Sequence, residues 1–270
     1  PRSPPPHTLF PFPTLVTAIK DLVVGYNNLP LDGNNGQPFS SQDIAERRVA
    51  VAGFYNNIFQ EKFKTQTGGQ SLDIQAIVDG LSDASVALQY AYIVQNPFPE
   101  EERAQFLDAE DGSSYSSAHT RHQQELQSLA SALGFADIHL VAPETGRLVF
   151  TTEKQVDIGQ SLANGPLATS PMGEAYAKVA ANDFSREPRI VNHTPFFPTY
   201  NDPTFFTAVP VYEGNTLLGV VTLEVPSETL DNVISNNQNW QALGLGNQGE
   251  TRIVDLGSGL RLTNDREFVE

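Results

Sequence analysis

Two histidines, His119 and His122, stand three residues apart, with Asp108, Glu110 and Asp111 just upstream. Two imidazoles on one helical face plus a carboxylate make a donor set for a transition metal. The same pair also suits the edge of a core stripe, where ring nitrogens bond backbone or water. The second use is the expected one, because buried polar groups are as a rule hydrogen-bonded. The run 108–112 (DAEDG) has the composition of a calcium loop but lacks its bidentate glutamate and its alternation, so it reads as a solvated acidic loop. A second pair, Asp137 and His139, lies two apart in the run FADIHLV at 135–141. In a strand both point to one face with Val141, while Ile138 and Leu140 point to the other. They either meet solvent or line a polar pocket, since burial without partners is costly. A third group is the aromatic loop 194–206, with Phe196, Phe197, Tyr200, Asp202, Phe205 and Phe206. A carboxylate at Asp202 can hold an amine and the Tyr200 phenol can orient it, whereas Phe206 reads as core closure.

Hydrolase, zincin and nucleotide-loop signatures are missing from the sequence: there is no G-x-S-x-G, no H-E-x-x-H and no Walker loop. The glycines of LGLGNQG at 243–249 have no Lys-Ser/Thr after them and read as a turn. No catalytic residue, no metal ligand and no cofactor is therefore expected. Asn192-His193-Thr194 is a glycosylation sequon by letter and carries little weight.

These residues need a scaffold, and hydrophobic periodicity supplies one. Residues 1–13 are too proline-rich for a helix. Helices are expected over 14–29, 42–64, 72–95 and 115–133, from apolar spacings of three and four. The pattern changes at Gly134. Strands are expected at 135–141, 147–152, 188–193, 205–212 and 216–225. A short helix is expected near 170–182, and another from Ser227 to Asn236. Pro143-Glu144-Thr145-Gly146 and Glu213-Gly214-Asn215 are turns with a mechanism, proline presetting φ and glycine supplying a positive one. The order β-β-α-β-β-β-α predicts an α+β fold, a helical N-terminal scaffold followed by a PAS-like antiparallel sheet with flanking helices. Three segments follow: 1–133 helical, 134–236 PAS-like, and 237–270 a partial second module with strands near 251–255 and 259–263.

Composition bounds the function. The 270 residues carry a formal charge of −16, from 32 acidic and 16 basic residues. Such a field repels phosphate backbones, so nucleic acid is not an expected partner. There are no cysteines, which excludes disulfides and thiolate metal sites. The only methionine is Met172 and the first residue is Pro1, so a processed form or a fragment is expected.

The segment 87–162, from ALQYAYIVQNPFPEEERAQFLDAEDG to QVDIGQSL, resembles the double Cache sensor regions of bacterial nucleotide cyclases and chemoreceptors. FFPTYNDPTFFTAVPVYEGNTLLGVVTLEVPSETLDNVI, at 196–234, is similar to the last hairpin and exit helix of the membrane-distal module. The tail GLGNQGETRIVDLGSGLRLTNDREF resembles the entry to the proximal one. The resemblance covers roughly 40–270. It implies a periplasmic or extracellular sensor, part of a membrane-anchored parent, with a small-molecule ligand, a homodimeric arrangement and a cytoplasmic output domain. Its departures are the lack of a membrane helix, a proximal module that stops early, and a proline-rich start. The arginine-tryptophan-tyrosine signature of amino-acid-binding Cache domains is lacking too, so an amino-acid ligand is not implied. With the pocket placed between sheet and long loop, the candidate ligand-binding residues are Asp137, His139, Tyr176, Phe197, Tyr200, Asp202 and Thr207. The alternatives are a secreted or surface-attached binding module without output, and a metal-dependent hydrolase built on His119 and His122.

Overall fold

A helical layer comes first in the chain, and its boundaries have local causes. The computed structural model describes residues 13–181, 196–202, 204–246 and 249–254. Helix α1 (Pro13–Asp32) starts on proline, whose missing N–H costs nothing in a first turn. Helix α2 (Ser41–Phe54) opens with a capping box: the Ser40 hydroxyl accepts the Asp43 N–H and the Asp43 carboxylate accepts the Ser40 N–H. A π-helical turn over Tyr55–Phe59 carries it into α3 (Gln60–Gln66). The helix expected over 72–95 is divided into α4 (Ile74–Asp79) and α5 (Asp83–Gln89), the latter running into a second π-helical turn. The break has a cause in the sequence, since Ser82 is extended and its hydroxyl accepts the Ser85 N–H to cap α5. Helix α6 (Ser114–Leu133) is capped by Ser113 and stopped by Gly134 at φ 74, a conformation glycine adopts without strain.

The sheet follows Gly134. Strands β1 (Asp137–Val141), β2 (Leu148–Thr151), β3 (Phe205–Glu213) and β4 (Thr216–Val225) form one antiparallel sheet in the order β2-β1-β4-β3. Helix α7 (Pro171–Ala180) packs on β3 and β4, and α8 (Ser227–Ser235) leaves the sheet after Pro226. The fold is α+β. The strand expected at 188–193, the sequon at 192–194, the strand expected at 259–263 and residues 1–12 lie outside the described residues.

Alternation divides the sheet into two faces. Ile138 of β1, Val209 and Val211 of β3, and Val221 and Leu223 of β4 meet Leu15 of α1 and Leu129 and Leu133 of α6 around a small apolar recess. Burying such a set stabilises the chain at roughly 25 cal/mol per Å² of apolar surface. Helix α1 crosses α6 closely because Gly25 has no side chain; a Cβ there would stand 2.8 Å from the Tyr115 Cα. The opposite face of the sheet is the polar one.

Candidate ligand-binding site

Register places the polar side chains of two strands side by side. On β1 and β4, Asp137 pairs with Glu224 and His139 with Thr222, so all four project from one face. Asp137, His139 and Thr222 are fully buried and Glu224 nearly so. The loop after β2 adds Asp157, also fully buried. His139 Nε2 lies 3.0 Å from Asp157 Oδ2 and 3.4 Å from Asp137 Oδ2. Neither approach has hydrogen-bond alignment, and Nε2 is left without a hydrogen-bond partner.

The groups behind the cluster fix how it presents itself. His139 Nδ1 sits 3.3 Å from the Thr222 carbonyl, which can only accept, so Nδ1 donates its hydrogen there. Nε2 therefore faces the carboxylates, bearing a proton in the imidazolium and presenting a lone pair once that proton is displaced. Asp137 Oδ1 accepts from the Thr152 N–H at 2.8 Å and from its hydroxyl at 2.5 Å, which turns Oδ2 toward His139. Six buried atoms end up without a hydrogen-bond partner: Asp137 Oδ2, His139 Nε2, both Asp157 oxygens, Thr222 Oγ1 and Glu224 Oε2. Native interiors leave only a few such atoms per hundred residues, and six gathered in one place mark a strain reservoir, an ordered water or a binding position.

Charge makes the cluster more unusual. Burial pushes the Glu224 carboxyl up to about 8, with the Asp137 charge adding to it. Burial also raises Asp137, despite the imidazole beside it. Burial opposes charge on His139, but Asp137 and Asp157 together outweigh it and hold the imidazole up to about 10. Burial first and Asp137 second push Glu153 up to about 7, while burial brings Lys154 down to about 7. Three carboxyl groups thus face one imidazole. Perturbed groups of this kind gather at functional sites.

The walls are aromatic on one side and held by helices on the other. Phe206 meets His139 edge-on at 6.0 Å, and the fully buried Phe196 packs on Phe206 at 4.9 Å. The loop carrying Asp157 is tied to the helical layer by buried side chains. Tyr55 donates to the Val156 carbonyl at 3.0 Å, and Gln89 donates to the carbonyls of Val156 and Ile158 at 3.1 and 2.7 Å. Ser85 donates to the Gly159 carbonyl at 2.7 Å.

Compared with protein-family models, with curated proteins and with solved structures, the chain matches none. Function must therefore be argued from the cluster and its surroundings.

Of the residues singled out from sequence, only Asp137 and His139 belong to this cluster. Phe197 and Tyr200 pack instead on Phe59, at ring distances of 6.2 and 5.1 Å, and the Tyr200 hydroxyl donates to Glu100 at 2.5 Å. Lys62 lies over the Tyr200 ring and also bonds Glu100. These contacts clamp the aromatic loop to the helical layer. Asp202 is exposed, and its backbone closes the turn after Thr199. Tyr176 is buried on α7, with its hydroxyl 3.5 Å from the Pro143 carbonyl. Thr207 pairs with Leu223 and so points to the opposite face from His139. Tyr200→Phe should therefore cost about 1 kcal/mol in urea unfolding, as for one lost hydrogen bond, and leave any ligand response of the chain unchanged.

The first histidine pair is structural. His119 is fully buried, bonds the Leu107 carbonyl at 2.7 Å through Nδ1, and packs among Tyr92, Tyr115 and Phe150. Burial holds it well below the usual histidine range. His122 Nε2 lies 2.9 Å from Asp21 Oδ2 on α1, which Arg121 also contacts. Asp108 and Asp111 accept the Glu110 and Ser113 N–H groups and form local turns. The His122 bond, helped by Arg121, holds the Asp21 carboxyl below its ordinary value. A depressed carboxyl stabilises above its unfolded value and loses that contribution as pH falls through its folded value. Asp21→Asn should thus cost up to about 1 kcal/mol at neutral pH, as for a largely solvated pair. In unfolding curves at successively lower pH the difference should shrink and vanish as the carboxyl takes up its proton in the folded state.

Asp157, Thr222 and Glu224 were not singled out from sequence. For the two strand residues a signal existed: Thr222 and Glu224 are alternate polar positions in an otherwise apolar strand, as Asp137 and His139 are in theirs. Asp157 lies in a loop with no periodicity, and nothing local marks it.

Proposed function

We propose that this chain is the extracytoplasmic ligand-sensing domain of a bacterial transmembrane signalling receptor, taking its ligand at the cluster of Asp137, His139, Asp157 and Glu224. The observation that carries the reading is the gathering of six buried polar atoms without a hydrogen-bond partner at one face of the sheet and the loop over it, three of them in the His139 ion pairs. A site of this kind costs stability and is retained where binding repays it. The resemblance to double Cache sensors, drawn from residues 40–270, supports the signalling role and the location.

The relay runs through the loop that carries Asp157. Tyr55, Ser85 and Gln89 of the helical layer hold that loop. A ligand that draws Asp157 toward β1 and β4 therefore acts on the helices directly. It biases output only by its difference in affinity between two arrangements. Val24 and Leu31, exposed apolar positions on α1, offer a surface for the second protomer of a homodimer. The domain itself is read as a binding module, with Phe206 packed edge-on against the imidazole and Phe196 behind it.

A thermal-shift screen with organic acids, amines, purines, sugars and simple cations tests the reading. A ligand at 100 times its Kd adds about 2.7 kcal/mol to the folded state. At least one class should raise the melting temperature, and Asp157→Asn should abolish that shift. A shift kept in full by both Asp157→Asn and His139→Gln would place the ligand elsewhere and refute the site.

A further inference from the structure

We infer that the cluster is a divalent transition-metal site, with His139 Nε2 and the carboxylates of Asp137 and Glu224 as its ligands and Asp157 beside the imidazole. The inference rests on the sensing site proposed above and names the class of its ligand.

Geometry is the first support. One donor atom from each of Asp137, His139 and Glu224 lies within 4.8 Å of the others. Donors about 2.1 Å from a common ion stand about 3.4 Å apart in a tetrahedron and about 3.0 Å apart in an octahedron, taking the usual zinc–nitrogen and zinc–oxygen lengths. The His139–Asp137 separation is 3.4 Å.

Orientation is the second. A ligating histidine fixes its tautomer by donating the other ring N–H to a carbonyl or carboxylate, and ligating carboxylates are themselves hydrogen-bonded from behind. Here the Thr222 carbonyl holds His139 Nδ1, and Thr152 holds Asp137 Oδ1 twice. The outer shell of a metal site is thus already in place.

Donor chemistry and size narrow the choice. One imidazole with two carboxylates and no thiolate suits zinc or manganese better than magnesium or calcium, which take oxygen alone. An organic cation needs room for its carbon frame. The apolar recess behind the sheet and the open groove of 540 Å³ at α2 and α4 are both lined by other residues. All three donor residues are buried, with their ligand atoms within 4.8 Å of one another.

Chelator-stripped protein titrated with zinc, manganese, calcium and magnesium chlorides, and in parallel with a diamine, decides the matter. Calorimetry should give one equivalent of zinc or manganese, with a raised melting temperature. His139→Gln and Glu224→Gln should each weaken metal binding at least tenfold while circular dichroism stays unchanged. If either fails to fold, Thr152→Val gives the same reading through Asp137 orientation, with a loss of about 10- to 100-fold typical of an outer-shell partner. No binding by either transition ion, or full binding in the variants, overturns the metal assignment. If the diamine binds instead and Asp157→Asn abolishes it, the metal assignment falls while the sensing site stands. If neither ions nor any compound of the screen binds, both fall.

Discussion

Asp137→Ala should lower the unfolding free energy by about 3–5 kcal/mol, the usual cost of removing one partner from a buried charged group. Three losses add up. The Thr152 N–H and hydroxyl lose the oxygen they share. His139 loses one of the two carboxylates that hold its charge. A small cavity is left in a face where every neighbour is buried. Urea unfolding followed by circular dichroism measures the change. A loss under about 1 kcal/mol, the range of an exposed pair, contradicts the buried network described for this face.

Replacing the whole cluster should have the opposite sign. The combination Asp137→Asn, His139→Leu, Asp157→Leu and Glu224→Leu keeps an acceptor for Thr152 and fills the rest with apolar groups. Buried ionic sets replaced in this way leave a protein equally stable or more stable by about 1–4 kcal/mol. The melting temperature should hold or rise, and every ligand or metal response should disappear. This contrast separates a cluster kept for binding from one kept for folding. A quadruple variant that unfolds as readily as Asp137→Ala means that the polar groups hold the sheet together, and the functional reading loses its main support.

Much of the scaffold was legible in the sequence because its signals are local. Gly134 marks the change from helix to strand, since it is the left-handed residue after α6. The turn at Gly214 joins β3 and β4 as expected, again with a positive φ. Alternation in β1 correctly puts Asp137 and His139 on one face. What failed were inferences across strands and loops. Thr207 has the right alternation for its own strand but the wrong face relative to His139, because that relation depends on the register of β4 between them. Tyr200 and Asp202 looked like site residues by type and loop position. The Phe59 ring and the Glu100 carboxylate, far away in sequence, claim Tyr200 for packing. Asp157 reaches the cluster only because Tyr55 and Gln89 hold its loop, and no spacing encodes that. The metal chemistry expected to be absent was weighed at His119 and His122, where one ring is buried among aromatic rings and the other pairs with Asp21. The donor set proposed as a metal site is that of the strand pair instead.

The most direct measurement is a crystal structure of the protein saturated with whichever ligand raises its melting temperature, with anomalous data if that ligand is a metal. The account predicts a bound atom or group within bonding distance of His139 Nε2 and of the carboxylates of Asp137 and Glu224. Water alone at the cluster, with the ligand seated elsewhere on the chain, would contradict it.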